Sequence, residues 1–419
     1  MTTTVTTLPN GMRVVSDVMP DVETASLGVW VEAGARHEAP EQDGLSHLLE
    51  HMAFKGTERR SAQAIAEEIE AVGGHLNACT SREHTAYVAR VLKEDVPLAV
   101  DLIADILQHA TFDEEELARE RAVVVQEIAQ LNDTPDDLVF DFFQAAAYPE
   151  QPMGRSILGR PEGVAGMSRE QLEAYMSHHY SADRMVLVAA GRVDHESLFA
   201  LAERHFDSLP RHCEVNTTPA VYGGGDVREA RELEQVHLVI GFDGVAYDHP
   251  DYYPSHVLAT ALGGGMSSRL FQEVREKRGL AYAVYSFTST YVDGGLFGVY
   301  AGCGAAQARE LVGVISDEIV KVADGVDEQE LERARNQLKA GLLMSLESSS
   351  ARCEQIGRQM QVFGRPIPPA EIIEKVEAVD TAALRRVALR LVEGKPTVAA
   401  IGPIGGVEPY EQLAARFHT

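Results

Sequence analysis

The stretch GLSHLLEHMAFKGT, residues 44–57, governs the reading of the whole chain, because it resolves into one short helix with two chemically opposed faces. At roughly 100° per residue, Leu45, Leu48, Leu49 and Met52 fall on one side, and His47, Glu50, His51 and Phe54 on the other. One face packs; the other presents two imidazoles and a carboxylate. Asp43 is expected to cap the start of this helix and Gly56 to stop it just after its last turn.

The spacing His47-x-x-Glu50-His51 is H-x-x-E-H, the inverted form of the H-E-x-x-H zinc signature. Histidines at i and i+4 leave a helix in the same direction, so both rings can reach one Zn²⁺ at about 2.0–2.1 Å. A carboxylate beside the second histidine is placed to take a proton from an attacking water. A bare His pair at this spacing is more often a solvated polar face, but the intervening Glu and the purely apolar opposite face turn the reading toward metal.

A catalytic zinc needs a third protein ligand and one open position. FDEEELARERAVVVQEIAQL, residues 112–131, reads as a helix begun at Asp113, with Leu117, Val124, Ile128 and Leu131 on its buried stripe. Glu120 and Glu127 flank that stripe two turns apart, so one can bind metal while the other sits behind it. Taken alone, two glutamates in an acidic helix are ordinary surface residues.

H-x-x-E-H followed by a Glu 76 residues beyond its second His (127 − 51 = 76) resembles the pitrilysin/insulinase family of zinc peptidases. Within that family the chain is most similar to the mitochondrial processing peptidase subgroup and its bacterial relatives. The likeness runs from LPNGMRVV near the start to REKRGLAY and beyond, which is most of the chain. It implies His47, His51 and Glu127 as ligands of one Zn²⁺ per chain, Glu50 as the base and Glu120 as a supporting carboxylate.

The resemblance also reaches residues that carry little signal by themselves. Arg275 and Tyr282, seven apart in GGGMSSRLFQEVREKRGLAYAVYS (residues 263–286), match an Arg and a Tyr that face the substrate and the developing oxyanion. Asp137 and Asp141, at i and i+4 in DDLVFDFF, match acidic positions that receive a substrate Arg. Phe54 matches an aromatic that receives the residue after the cleavage site, and the strand near Asn77 and Ala78 is implied to pair with substrate backbone.

Composition bounds the rest. At 419 residues and 45% hydrophobic, the chain can bury two or more cores. A net charge of −27 argues against nucleic acid or an anionic membrane surface as a partner and favours cationic ligands. Cys79, Cys213, Cys303 and Cys353 show no C-x-x-C spacing, and Gly263–Gly265 lacks the P-loop lysine, so neither a thiolate metal site nor a nucleotide cofactor is implied. No apolar run approaches 18 residues, and the opening MTTTVTTLPNGMRVV shows neither a basic-then-apolar leader nor an Arg-rich one. The expected location is the cytoplasm, or an organelle matrix after removal of a leader.

The second half repeats the first. SHVLAT at 255–260 aligns with SHLLEH at 46–51, an offset of 209 (255 − 46), and VDEQELERAR at 326–335 with FDEEELARER at 112–121, an offset of 214 (326 − 112). In the copy, Glu50, His51, Glu120 and Glu127 become Ala259, Thr260, Ala334 and Gly341, and only His256 survives. The expected fold is therefore α+β: two homologous domains, each a largely antiparallel sheet backed by helices, and by resemblance half of a clamshell chamber. The expected boundaries are 1–206 for the zinc-binding domain, 207–230 for a Pro/Gly-rich linker and 231–419 for the metal-free copy. The expected activity is a zinc metalloendopeptidase acting on peptides as a homodimer, the alternative being a non-catalytic or partner-dependent subunit.

Overall fold

The computed structural model describes residues 2–417, which form two compact units. In the first, β1 (Thr2–Thr7), β2 (Arg13–Val18), β3 (Thr24–Val31), β4 (His75–Thr80), β5 (Thr85–Leu92) and β6 (Met185–Gly191) make one sheet, ordered β1-β2-β6-β3-β5-β4. Only β2 and β6 run parallel. In the second, β7 (Gly225–Ala230), β8 (Gln235–Asp243), β9 (Ala281–Thr290), β10 (Gly295–Gly304) and β11 (Thr397–Gly402) are ordered β7-β11-β8-β10-β9, with only β7 and β11 parallel. Laid side by side, β2-β6-β3-β5-β4 and β7-β11-β8-β10-β9 have the same order and the same single parallel pair. The duplication read from two sequence segments extends to the whole sheet, and the α+β class with two largely antiparallel sheets is the one observed.

Strand β6 shows why helices cover both faces. Its sequence MVLVAAG is apolar throughout and every residue is buried, whereas a one-sided sheet would alternate. The inner face packs on the Leu45–Ala53 helix and its neighbours. The outer face carries Trp30, Val186 and Val188, and these are covered by Cys353, Ile356 and Met360 of the Ser349–Phe363 helix. Asp17 and Arg352 pair at 2.7 Å beside this contact. In the second unit, Val239, Leu296 and Ala399 are covered by Leu138, Val139 and Phe143 of the Pro135–Ala147 helix.

Each unit thus takes a covering helix from the other half of the chain. The first unit comprises the chain up to Ala129, Ser156–Thr218 and Met344–Ile367; the second comprises Gln130–Arg155, Pro219–Leu343 and the chain from Pro368 onward. This differs from two unbroken domains at 1–206 and 231–419. The reason is the apolar outer face of each sheet, which the exchanged helices bury. The expected linker is also divided, residues up to Thr218 belonging to the first unit and those from Pro219 to the second. Among the described residues no helix is long and apolar enough to cross a membrane.

The Ser349–Phe363 helix approaches its sheet closely, since a Cβ built on Gly357 would lie 2.3 Å from ring atoms of Trp30. Gly357→Val should therefore cost about 1–3 kcal/mol by overpacking. Trp30 is the sole tryptophan and is 1% exposed, so its fluorescence during urea unfolding reads the first unit directly. An unchanged midpoint would show that the helix does not depend on this contact.

Candidate metal centre

The helix Leu45–Ala53 is held at its start by a residue outside the motif. Glu38, 4% exposed, accepts the Gly44 N–H at Oε2 (2.9 Å) and the Ser46 N–H at Oε1 (2.7 Å), so one carboxylate satisfies two backbone donors at the positive end of the helix. Asp43, expected as the cap, does not take that place: the N-cap position is Gly44, at φ +93°, and no side chain caps from there. A Cβ on Gly44 would also meet the Leu158 carbonyl oxygen at 2.5 Å, so both its backbone conformation and the space around it call for glycine. Beyond the helix, Thr57 and Arg60 each donate to Asp105 at 2.8 Å, which fixes the chain as it leaves the site.

With Leu45, Leu48, Leu49 and Met52 buried below, the opposite face brings His47 and His51 against Glu127 of the Glu114–Asn132 helix. The two Nε2 atoms lie 3.6 and 3.5 Å from Glu127 Oε2, and one donor atom from each of the three residues lies within 4.8 Å of the others. Two donors of a tetrahedral zinc at its usual bond lengths are roughly 3.4 Å apart, so this set fits the ion. It is the one such group of three His, Cys, Asp or Glu among the described residues. Burial, reinforced by the neighbouring His51, lowers His47 to about 4, which keeps its imidazole in the neutral form a metal requires.

Behind this group, His51 Nδ1 stands 2.9 Å from Glu120 Oε2, and Lys55 Nζ stands 2.8 Å from Glu120 Oε1. Glu120, 5% exposed, thereby holds the proton on Nδ1 and turns the Nε2 lone pair toward Glu127. His47 Nδ1, by contrast, is buried without a hydrogen-bond partner. Glu50 projects beside the group, and the Thr80 hydroxyl donates to its Oε2 at 2.5 Å. Burial pushes the Glu50 carboxyl above the ordinary carboxylate value, while the Thr80 hydrogen bond and His51 pull it back. Glu38, Thr80 and Lys55 were not singled out by the sequence; only Lys55, four residues after His51, had a spacing that could have flagged it.

The remaining expected residues divide between the units. Phe54 is half-buried, its ring 6.4 Å from that of Tyr87. Asn77 is exposed and Ala78 buried on β4, the edge strand of the first sheet. Arg275 and Tyr282 lie together in the second unit, the guanidinium 4.4 Å from the ring centroid and Nη1 donating to the Tyr282 carbonyl at 3.0 Å. Tyr282 is 79% exposed and sits on β9, the counterpart of β4. Asp137 is exposed and Asp141 half-buried on the Pro135–Ala147 helix, also in the second unit. In the helix that copies Leu45–Ala53, His256 is half-buried and shares a 3.1 Å hydrogen bond with Thr288, while Thr260 donates to the His256 carbonyl.

Residues 13–161 match the family model described as Insulinase (Peptidase family M16), and residues 166–338 the one described as Peptidase M16 inactive domain. An uncharacterized zinc protease of Rickettsia felis is 42% identical over 397 residues, covering 94% of this chain and 96% of that protein. The chain belongs to peptidase family M16, the insulinase family. Another relative, from Arabidopsis thaliana, is named a probable mitochondrial-processing peptidase subunit beta and is 40% identical over 430 residues, 99% of this chain and 81% of that protein. The crystal structure of a protease from Helicobacter pylori superposes with a TM-score of 0.88 over 96% of this chain and 99% of that one, at 23% identity, a likeness of fold. In this M16 chain the model for the peptidase half covers the H-x-x-E-H helix, and the model named inactive covers the copy that carries Ala259 and Thr260.

If Glu120 orients His51 for a metal, Glu120→Gln should weaken Zn²⁺ binding by roughly 10–100-fold, as loss of such partners usually does. Competition with a chromogenic chelator measures this, and an unaltered affinity would assign the Glu120 contact to packing alone.

Proposed function

We propose that this M16 chain is a zinc-dependent metalloendopeptidase that hydrolyses peptides or short unfolded segments in the cytoplasm, with one zinc per chain. The observation that carries the reading is the convergence of His47, His51 and Glu127 with Glu50 beside them. A zinc ion held by these three side chains would supply Lewis acidity to the scissile carbonyl and the attacking water. Glu50 takes the proton of that water on its carboxylate and passes it to the departing amine, and its raised proton affinity suits both transfers. The Thr80 hydroxyl keeps the Glu50 carboxylate from rotating away.

Substrate is held as an added strand on β4 near Asn77 and Ala78, a mode that reads extension more than sequence. Phe54 receives the residue after the cleaved bond, Asp137 and Asp141 a substrate Arg, and the net charge of −27 favours cationic peptides generally. Arg275 and Tyr282 come from a second copy of the chain in a homodimer and donate to the oxyanion. The exposure of Tyr282 on an edge strand, with the Arg275 guanidinium against its ring, supports a role toward something outside their own unit.

Glu50→Gln should retain zinc by metal analysis yet lose roughly 10²–10⁴-fold in kcat on a mixed peptide pool, because only the proton acceptor is gone. Activity that persists in this variant, or in chelated enzyme, would remove the assignment. In the same pool, Asp137→Asn should raise KM mainly for Arg-containing peptides, and an equal rise for Arg-free ones would leave Asp137 a solvated charge. The dimer has its own test. Glu50→Gln and Arg275→Ala proteins, each nearly inactive, should regain about a quarter of wild-type activity after subunit exchange, since about half the dimers are mixed and each has one intact site of two. No recovery after demonstrated exchange would reject sharing between identical chains.

A further inference from the structure

On the outer face of the first sheet the Ser349–Phe363 helix packs mainly over β3 and β6. Beside it, over β5 and β4, an open cavity of about 350 Å³ remains, within the range of small-ligand sites. Trp30, Ala86, Val88 and Cys353 line it with apolar surface, and Ser26, His84, Arg90, Ser350 and Glu354 add polar and charged groups around them. Its mouth is lined by Asn77 and Cys79 of β4, both exposed.

The two faces of β4 lead to different places. Ala78 joins the inner core beneath the metal helix, Leu76 packs against that core, and Thr80 bonds Glu50. His75, Asn77 and Cys79 instead line the cavity. Among the described residues β4 pairs only with β5, so its other edge is open. A peptide added there must alternate in the same way, each side chain lying about 4.5–5.5 Å from its neighbour on the same face of β4. A residue opposite Thr80 is then turned toward Glu50, and the next one, opposite Cys79, is turned toward the cavity.

We infer that this cavity is a specificity subsite that takes a large apolar side chain, Leu or Phe in size, from the peptide residue adjacent to the one turned toward Glu50. The assignment rests on the proposed strand addition at β4. It makes the sheet read its substrate with a period of two: one set of side chains meets the metal face, and the alternate set meets Trp30 from behind. A single methylene in a hydrophobic pocket is worth roughly 10–200-fold, so a Phe-for-Ala exchange should be worth at least about 10-fold in kcat/KM.

The test uses the zinc-loaded enzyme and peptides that differ from one cleavable parent at a single position. The expected result is a Phe-over-Ala preference at one position next to the cut, weaker at its immediate neighbours, which collapses in Cys79→Trp and persists in Cys79→Ser. A second readout needs no turnover. In the Glu50→Gln enzyme a peptide carrying 4-bromophenylalanine at that position should quench Trp30 fluorescence more than the same residue moved by one. If the wild-type enzyme cleaves no peptide, the proposed function falls and the subsite with it. Cleavage without a positional preference, or with quenching that is blind to position, overturns the subsite alone.

Discussion

Burial of Leu45, Leu48, Leu49 and Met52, each at most 1% exposed, is the interaction on which the site rests. Four apolar side chains on one stripe of a nine-residue helix leave it a single way to pack on the core, and the opposite stripe is then fixed as the face that turns His47 and His51 toward Glu127. Everything polar is secured after that. Glu38 ties down the helix start, Glu120 orients one ring, Thr80 holds the Glu50 carboxylate, and the Asp105 contacts anchor the exit. Packing sets the direction of both imidazoles, and the hydrogen bond to Glu120 sets the rotation of His51.

The second unit shows the same scaffold without the His/Glu group. Its helix still packs through Val257, Leu258 and Leu262, and its sheet keeps the order of the first. The positions matching Glu50, His51, Glu120 and Glu127 are Ala259, Thr260, Ala334 and Gly341, and His256 has Thr288 as a hydrogen-bond partner. What the copy keeps open is its edge strand, where Tyr282 stands exposed against the Arg275 guanidinium. Both units present an open β-strand edge, and among the described residues only the first backs it with a His/Glu group that fits a metal.

Much of this was legible in the sequence because period and composition agree locally. His47, Glu50 and His51 could be placed on one face from spacing alone, and the duplicated segments announced a repeated fold. Glu127 lies 76 residues beyond His51, and no local rule selects it over Glu120; that choice came from the family likeness. Glu38 escaped because capping rules look at the residue before a helix, whereas this carboxylate reaches in from six residues upstream of Gly44. Thr80 is one polar residue on a strand and carries no periodic signature. The exchange of covering helices was invisible for a different reason: an amphipathic pattern shows that a helix has an apolar face, not which sheet will receive it. The Ser349–Phe363 helix is harder still, since it buries Arg352 and Gln359 along with Cys353 and Ile356 and so lacks a clean stripe.

That exchange makes the molecule resist being taken apart. A ribosome that has released residues up to Thr218 has made every strand of the first sheet, yet the outer face around Trp30 stays bare until the Ser349–Phe363 segment emerges. During that interval the nascent chain exposes apolar surface of the kind that recruits chaperones or aggregates. The same bond through sequence limits what evolution can shuffle: neither unit can be excised as a continuous module without stripping a helix from the one left behind. A duplicated gene that freed its second copy from metal chemistry did not thereby free it from its twin.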